Sequence, residues 1–124
     1  MHHLNLVVIS GNVGSSINYG TTTAGDPACG FSIASDKHLG GGNTATLWCR
    51  VSCYSPFLVD LCKSKLHKGA LITVQGELFS RKGQFGEVIE IRAKDLIFHP
   101  SVNRNNETEN AEELYDETTE LENV

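Results

Sequence analysis

From residue 47 to residue 54 the chain alternates with a period of two. Odd positions hold Leu47, Cys49, Val51 and Cys53; even positions hold Trp48, Arg50, Ser52 and Tyr54. Successive strand side chains point to opposite faces, so the segment predicts a strand with one small apolar face and one aromatic, basic face. The apolar face must be covered by other elements of the chain. The other face is left for solvent or a ligand.

The rest of the chain supplies such a cover. Residues 4–9 are apolar and β-branched and read as a first strand closed by Ser10-Gly11. Residues 11–27 are rich in Gly, Ser, Thr and Asn and read as an irregular connection with a short strand around Ser16–Tyr19. A second strand is expected over 29–35 and a flexible hairpin tip at Gly40-Gly41-Gly42-Asn43. The strand over 45–54 follows. Pro56 then opens a helical pattern from Phe57 to Lys68, with Leu58, Leu61, Cys62 and Leu66 at helical spacing and Gly69 as its cap. Lys63, Lys65 and Lys68 fall where cations favour a helix C-terminus. Alternation returns over 71–82, with Ile72, Val74 and Leu78 on one face and Gln75, Phe79 and Arg81 on the other. After a turn at Gly83-Gln84-Phe85-Gly86, a last strand spans 88–98, with Ile89, Ile91 and Ala93 opposite Arg92 and Lys94. Five main strands with one helix between the third and fourth describe an all-β chain. That order matches the five-stranded OB-fold barrel, a Greek-key scaffold that binds oligonucleotides.

Charge divides the 124 residues in two. Nine of the ten Lys/Arg but only seven of the fifteen Asp/Glu lie within residues 1–100, which leaves the body at +2 and residues 101–124 at −7. The whole-chain charge of −5 therefore says little about what the body binds. After Pro100 aromatic and β-branched residues give way to Glu and Asn, a composition that cannot offset its ordering entropy by burial. We expect one domain over 1–100 and a disordered acidic tail over 101–124.

Other classes are disfavoured. No apolar run approaches the ~18 residues of a membrane helix. Cys29, Cys49, Cys53 and Cys62 contain no Cys-x-x-Cys pair. On a strand, Cys49 and Cys53 would stand ~13 Å apart, too far for two thiolates each ~2.3 Å from one zinc. The cysteines read as small buried hydrophobes in a reducing, cytoplasmic setting, and neither metal nor cofactor is expected. No nucleophile, base or carboxylate pair converges, so an enzyme is not expected. The Gly-rich turns lack the Gly-Lys-Ser/Thr ending of a phosphate-binding loop.

A lone strand tryptophan is more often core or interface than ligand platform. Here the opposite face is already apolar and Arg50 lies on the side of Trp48. An exposed ring can stack on any base, and adjacent cations contact phosphate, so the face fits single-stranded nucleic acid.

The ordered motifs Leu6-Val-Val-Ile-Ser-Gly-Asn-Val-Gly14, Phe31-Ser-Ile-Ala-Ser35, Leu47-Trp-Cys-Arg-Val51, Leu66-His-Lys-Gly-Ala-Leu-Ile-Thr-Val-Gln-Gly-Glu-Leu78 and Ser80-Arg-Lys82 carry a resemblance. Over roughly residues 4–98 the chain resembles the bacterial single-stranded DNA-binding protein family. The resemblance implies sequence-nonspecific binding of single-stranded DNA in replication, repair or recombination. It implies base stacking by Trp48 and Tyr54 and a basic path of Arg50, Lys68, Arg81 and Lys82. Leu39 and Gly83 stand where two further family tryptophans would; Phe85 is offered in place of the second, and Phe79 shares a face with Arg81. The family also implies homo-oligomers, usually tetramers, paired through the first strand, and recruitment of replication or repair proteins by the acidic tail. This tail ends Leu121-Glu-Asn-Val124 instead of in the usual Pro-Phe-like tip. Two alternatives stay open: an interaction module similar to primosomal replication protein B with weak nucleic-acid binding, and an RNA-binding OB-fold, which would contact the 2′-hydroxyl.

Overall fold

The computed structural model describes residues 2–100; the expected acidic tail lies outside the described residues. Its elements in chain order are β1 (Val7–Val13), β2 (Asn18–Thr21), β3 (Pro27–Gly40), β4 (Asn43–Cys53), α1 (Pro56–Lys65), β5 (Leu71–Gly83) and β6 (Gly86–Phe98). Pairing runs β1-β5-β6-β4-β3, and β1 returns to β3 through Asn12↔Ala34 and Val13↔Ile33. That last contact closes five strands into an OB-fold barrel. The short β2 lies on the edge of β3 outside the ring.

Closure depends on β1 leaving β5 for β3 within a few residues. It pairs with β5 from Val7 to Asn12 and with β3 only at Asn12 and Val13. At the crossing, a Cβ on Gly11 would stand 2.6 Å from the Ala34 carbonyl oxygen, so only glycine lets the two backbones approach. The β3–β4 hairpin reverses at Gly40, Gly41 and Gly42, all with positive φ, where side chains would be strained.

Phe31, Ile33, Val51, Ile72 and Val74 fill the barrel, and Leu58, Val59 and Cys62 of α1 join that core. α1 starts at Pro56, whose missing N–H costs nothing in the first turn. Cys29 and Cys53 are register partners on β3 and β4, and both are buried. A hydrogen bond to Cys62 and burial push the Cys29 thiol up, so it stays protonated within this core.

Several expectations need correcting. The first strand spans 7–13, not 4–9: Ser10 and Gly11 continue it, because β1 must reach β3 to close the ring. The helix stops at Lys65 with Leu66 as its cap residue, short of Lys68. Gly69 lies beyond it and donates its N–H to the Val13 carbonyl instead. Val59 is buried where Leu61 is only half-buried. Leu47 was placed on the inner face but is 58% exposed, as are Leu78 and Ile89 in large part. β4 meets β6 only at Val51 and Ser52, so these three residues sit on hairpin arms that run past the barrel and leave its interior behind. A bulge between Gln75 and Gly76 shifts the β5–β6 register, which turns Leu96 inward out of step with Ile91.

Candidate nucleic-acid interface

The neighbouring strands β4, β6 and β5 present one outer face. Ser52 lies beside Arg92 in the β4–β6 pairing, and Phe79 lies opposite Glu90 in the β5–β6 pairing. Alternation then sets Trp48, Arg50 and Ser52 on β4, with Tyr54 just past its end, Glu90 and Arg92 on β6, and Phe79 and Arg81 on β5 on the same side.

Trp48 is 56% exposed. Its ring lies over Gly14, and a Cβ there would stand 3.1 Å from the ring carbon Cζ3. Gly14 is held by its N–H to the Ser32 carbonyl at 2.8 Å, so the backbone just after β1 is fixed against β3 beside the indole. Arg50 reaches across Gly30 on the neighbouring strand, where a Cβ would meet its Nη2 at 3.0 Å. Tyr54 and Phe79 are both exposed.

At the centre is Glu90, 2% exposed. Arg81 Nε donates to Glu90 Oε1 at 2.9 Å, and Ser52 Oγ donates to Oε2 at 2.7 Å. Arg92 Nε stands 3.8 Å from Oε2. Burial works to raise the Glu90 pKa, but Arg81, Ser52 and Arg92 together hold it below the ordinary carboxylate value. The Arg92 guanidinium carbon lies 3.5 Å from the Phe79 ring centroid and 4.6 Å from that of Tyr54. A groove of about 400 Å³ crosses this region, lined by Tyr19, Gly30, Arg50, Tyr54, Arg81 and Glu90 among others. Planar rings, guanidinium groups and an open groove suit stacking on bases and pairing with phosphate. Among the described residues no group of three or more His, Cys, Asp or Glu is placed to hold a metal ion.

The structure brings together Trp48, Arg50, Tyr54, Phe79 and Arg81. Three candidates lie elsewhere. Lys68 is exposed in the loop after α1; its neighbour Gly69 bonds to Val13, one residue before the Gly14 seat of Trp48. Lys82 alternates to the opposite face of β5 from Arg81. Phe85, 95% exposed, occupies the tip of the β5–β6 hairpin. Sequence reasoning missed Glu90, Arg92 and Tyr19 as members of the site. The alternation of β6 separated Arg92 from the core face, but only the β5–β6 register shows that it meets Phe79.

A closed OB barrel with a stacking, cationic outer sheet defines a nucleic-acid-binding class of module. The sequence profile of the Single-strand binding protein family matches residues 4–99, and the chain belongs to that family. It is 30% identical over 131 aligned residues to Single-stranded DNA-binding protein 2 of Chlorobaculum tepidum, covering 97% of this chain and 87% of that one. Against the single-stranded DNA-binding protein of Neisseria meningitidis it is 29% identical over 98 residues, 76% of this chain and 56% of the relative. Among solved structures, the Plasmodium falciparum SSB complex with ssDNA superposes with a TM-score of 0.71 at 28% identity, covering 81% of this chain and 98% of that one.

Proposed function

We propose that this chain binds single-stranded DNA without sequence preference, by stacking bases on Trp48, Tyr54 and Phe79 and pairing phosphates with Arg50 and Arg81. The observation that carries the reading is the exposed Trp48 indole on a sheet face shared with Arg50, Arg81 and Arg92. Family membership and the likeness to a relative solved with ssDNA support it. Every base has a π-face, so such a platform holds any sequence, at ~1–3 kcal/mol per stacked base. Lys68, Lys82 and Phe85 extend the path beyond the central face. The site is a binding surface and not a catalytic one, and the activity belongs to replication, repair or recombination in the cytoplasm.

We read the working form as a homo-oligomer, a tetramer by family habit. From Val7 to Gly11 one edge of β1 pairs with β5 while the other has no strand partner among the described residues. Leu4, Leu6 and Val8 are exposed there. An unpaired apolar edge is a template for a second chain. Replication or repair partners would be met through the acidic segment 101–124.

Trp48 is the chain's single tryptophan, so its emission reports the site directly. Oligo-dT is expected to quench it at low salt, and added salt to reverse the quench. Unchanged emission at low salt would refute the reading.

A further inference from the structure

The Glu90 cluster does more than stabilise a hairpin. A carboxylate beneath a surface meant for phosphates works against binding, since it cancels part of the field of the arginines above it. Its persistence at 2% exposure calls for a compensating role in geometry. The contacts supply one. Arg81 is fixed through Nε, and Arg92 turns its Nε inward toward the same carboxylate. That Nε is buried and makes no hydrogen bond among the described residues, yet the Arg92 side chain as a whole is 37% exposed. The inner edge of the guanidinium is thus committed to the protein, and its terminal nitrogens make no hydrogen bond to a described residue. Its guanidinium carbon lies close to both the Phe79 and the Tyr54 ring. A guanidinium already desolvated on one edge and packed beside two rings loses little entropy when it meets a ligand.

We propose that Arg92 is a DNA-contacting residue, joining Tyr54 and Phe79 into one stacking platform, and that Glu90 is the positioning residue that aims both Arg92 and Arg81. This deepens the reading given above and rests on it. Arg92 offers a planar donor fork to phosphate beside the Tyr54 and Phe79 rings that stack the bases. Lys in its place would keep the charge but lose the fork and the plane.

The test uses the full chain, labelled oligo-dT and a series of salt concentrations. Arg92→Met is expected to weaken binding about tenfold, comparable to the loss of one stacked base. Arg92→Lys should restore the salt dependence but only part of the affinity. Glu90→Gln gives the sharper contrast. Removing a negative charge would tighten binding if only the field mattered, whereas loss of positioning weakens it several-fold. Glu90→Asp keeps the charge but not the reach, and is also expected to weaken binding; it serves if the Gln variant does not fold. Near-ultraviolet circular dichroism checks that Trp48 keeps its environment in each variant. Binding by Arg92→Met at the wild-type level or tighter overturns the inference, as does tighter binding by Glu90→Gln. A wild-type chain that ignores oligo-dT overturns the underlying function, and this inference with it; that failure appears before any substitution is made.

Discussion

The indole of Trp48 rests on Gly14, so close that a methyl group in place of the glycine hydrogen would stand 3.1 Å from Cζ3. An exposed ring braced against backbone has fewer orientations to give up, which lowers the entropy lost when a base stacks on it.

Gly14→Val tests that seat. The branched side chain would push the ring off β1, because Gly14 is itself pinned to Ser32 and cannot retreat. The expected result is a shifted Trp48 emission and oligo-dT binding weaker by about 1 kcal/mol or more, within the cost of one stacked base. Fluorescence titration measures both. An unmoved spectrum with unchanged affinity would show that the ring does not depend on this support.

Gly76→Ala probes the bulge that shapes the β5–β6 hairpin. A Cβ at Gly76 would fall 2.0 Å from the Arg92 carbonyl oxygen and 3.0 Å from the Ala93 Cα, both of them backbone-borne and unable to swing aside. Destabilisation of more than about 2 kcal/mol is expected, since strain of this kind belongs to the upper tail of single substitutions. Urea denaturation measures it; a midpoint near wild type would mean that the two strands separate here at little cost.

Much of this was legible in the sequence. Alternation through Trp48, Arg50 and Tyr54 foretold their common face, and Phe79 and Arg81 followed by the same rule. The misplacements have a shared cause. Leu47, Leu78 and Ile89 keep the right parity but lie on arms beyond the barrel, and parity carries no information about where a barrel ends. Gly11 looked like a strand terminator because glycine usually breaks strands, yet here it admits the carbonyl of Ala34. Arg92 was invisible as a site residue because it meets Phe79 diagonally across the β5–β6 pairing, and alternation along β6 alone does not say which β5 residue lies beside it.

Acid should act through Glu90. Its native pKa lies below the ordinary carboxylate value, so the folded protein resists protonation there more than the unfolded chain does. Its stabilisation is therefore complete above the usual carboxylate range, and is lost as pH falls from about 4.3 toward the lowered native value. At neutral pH, Glu90→Gln is expected to be less stable by about 1–3 kcal/mol, the cost of a disrupted buried hydrogen-bond set. Urea midpoints of wild type and variant should converge as pH drops from 7 to 3. A gap that stays constant with pH would assign the effect to packing instead of charge.

Arg50 and Arg81 differ in one respect that salt can reveal. Arg81 spends its Nε on Glu90, whereas Arg50 has no ion pair among the described residues and simply spans Gly30. For a single strand, each phosphate contact contributes about 0.7 to the slope of log affinity against log salt. Arg50→Met should flatten that slope by about this amount and leave stability within about 0.5 kcal/mol, as expected for a surface side chain with no structural partner. Arg81→Met should flatten it as well, but should also cost about 1–3 kcal/mol of stability, because it strips a buried carboxylate of its shortest charged partner. Titrations at several salt concentrations, paired with thermal melts, separate the two. An unchanged slope in Arg50→Met would remove Arg50 from the phosphate path, and an unchanged melting temperature in Arg81→Met would show that Ser52 and Arg92 suffice to hold Glu90.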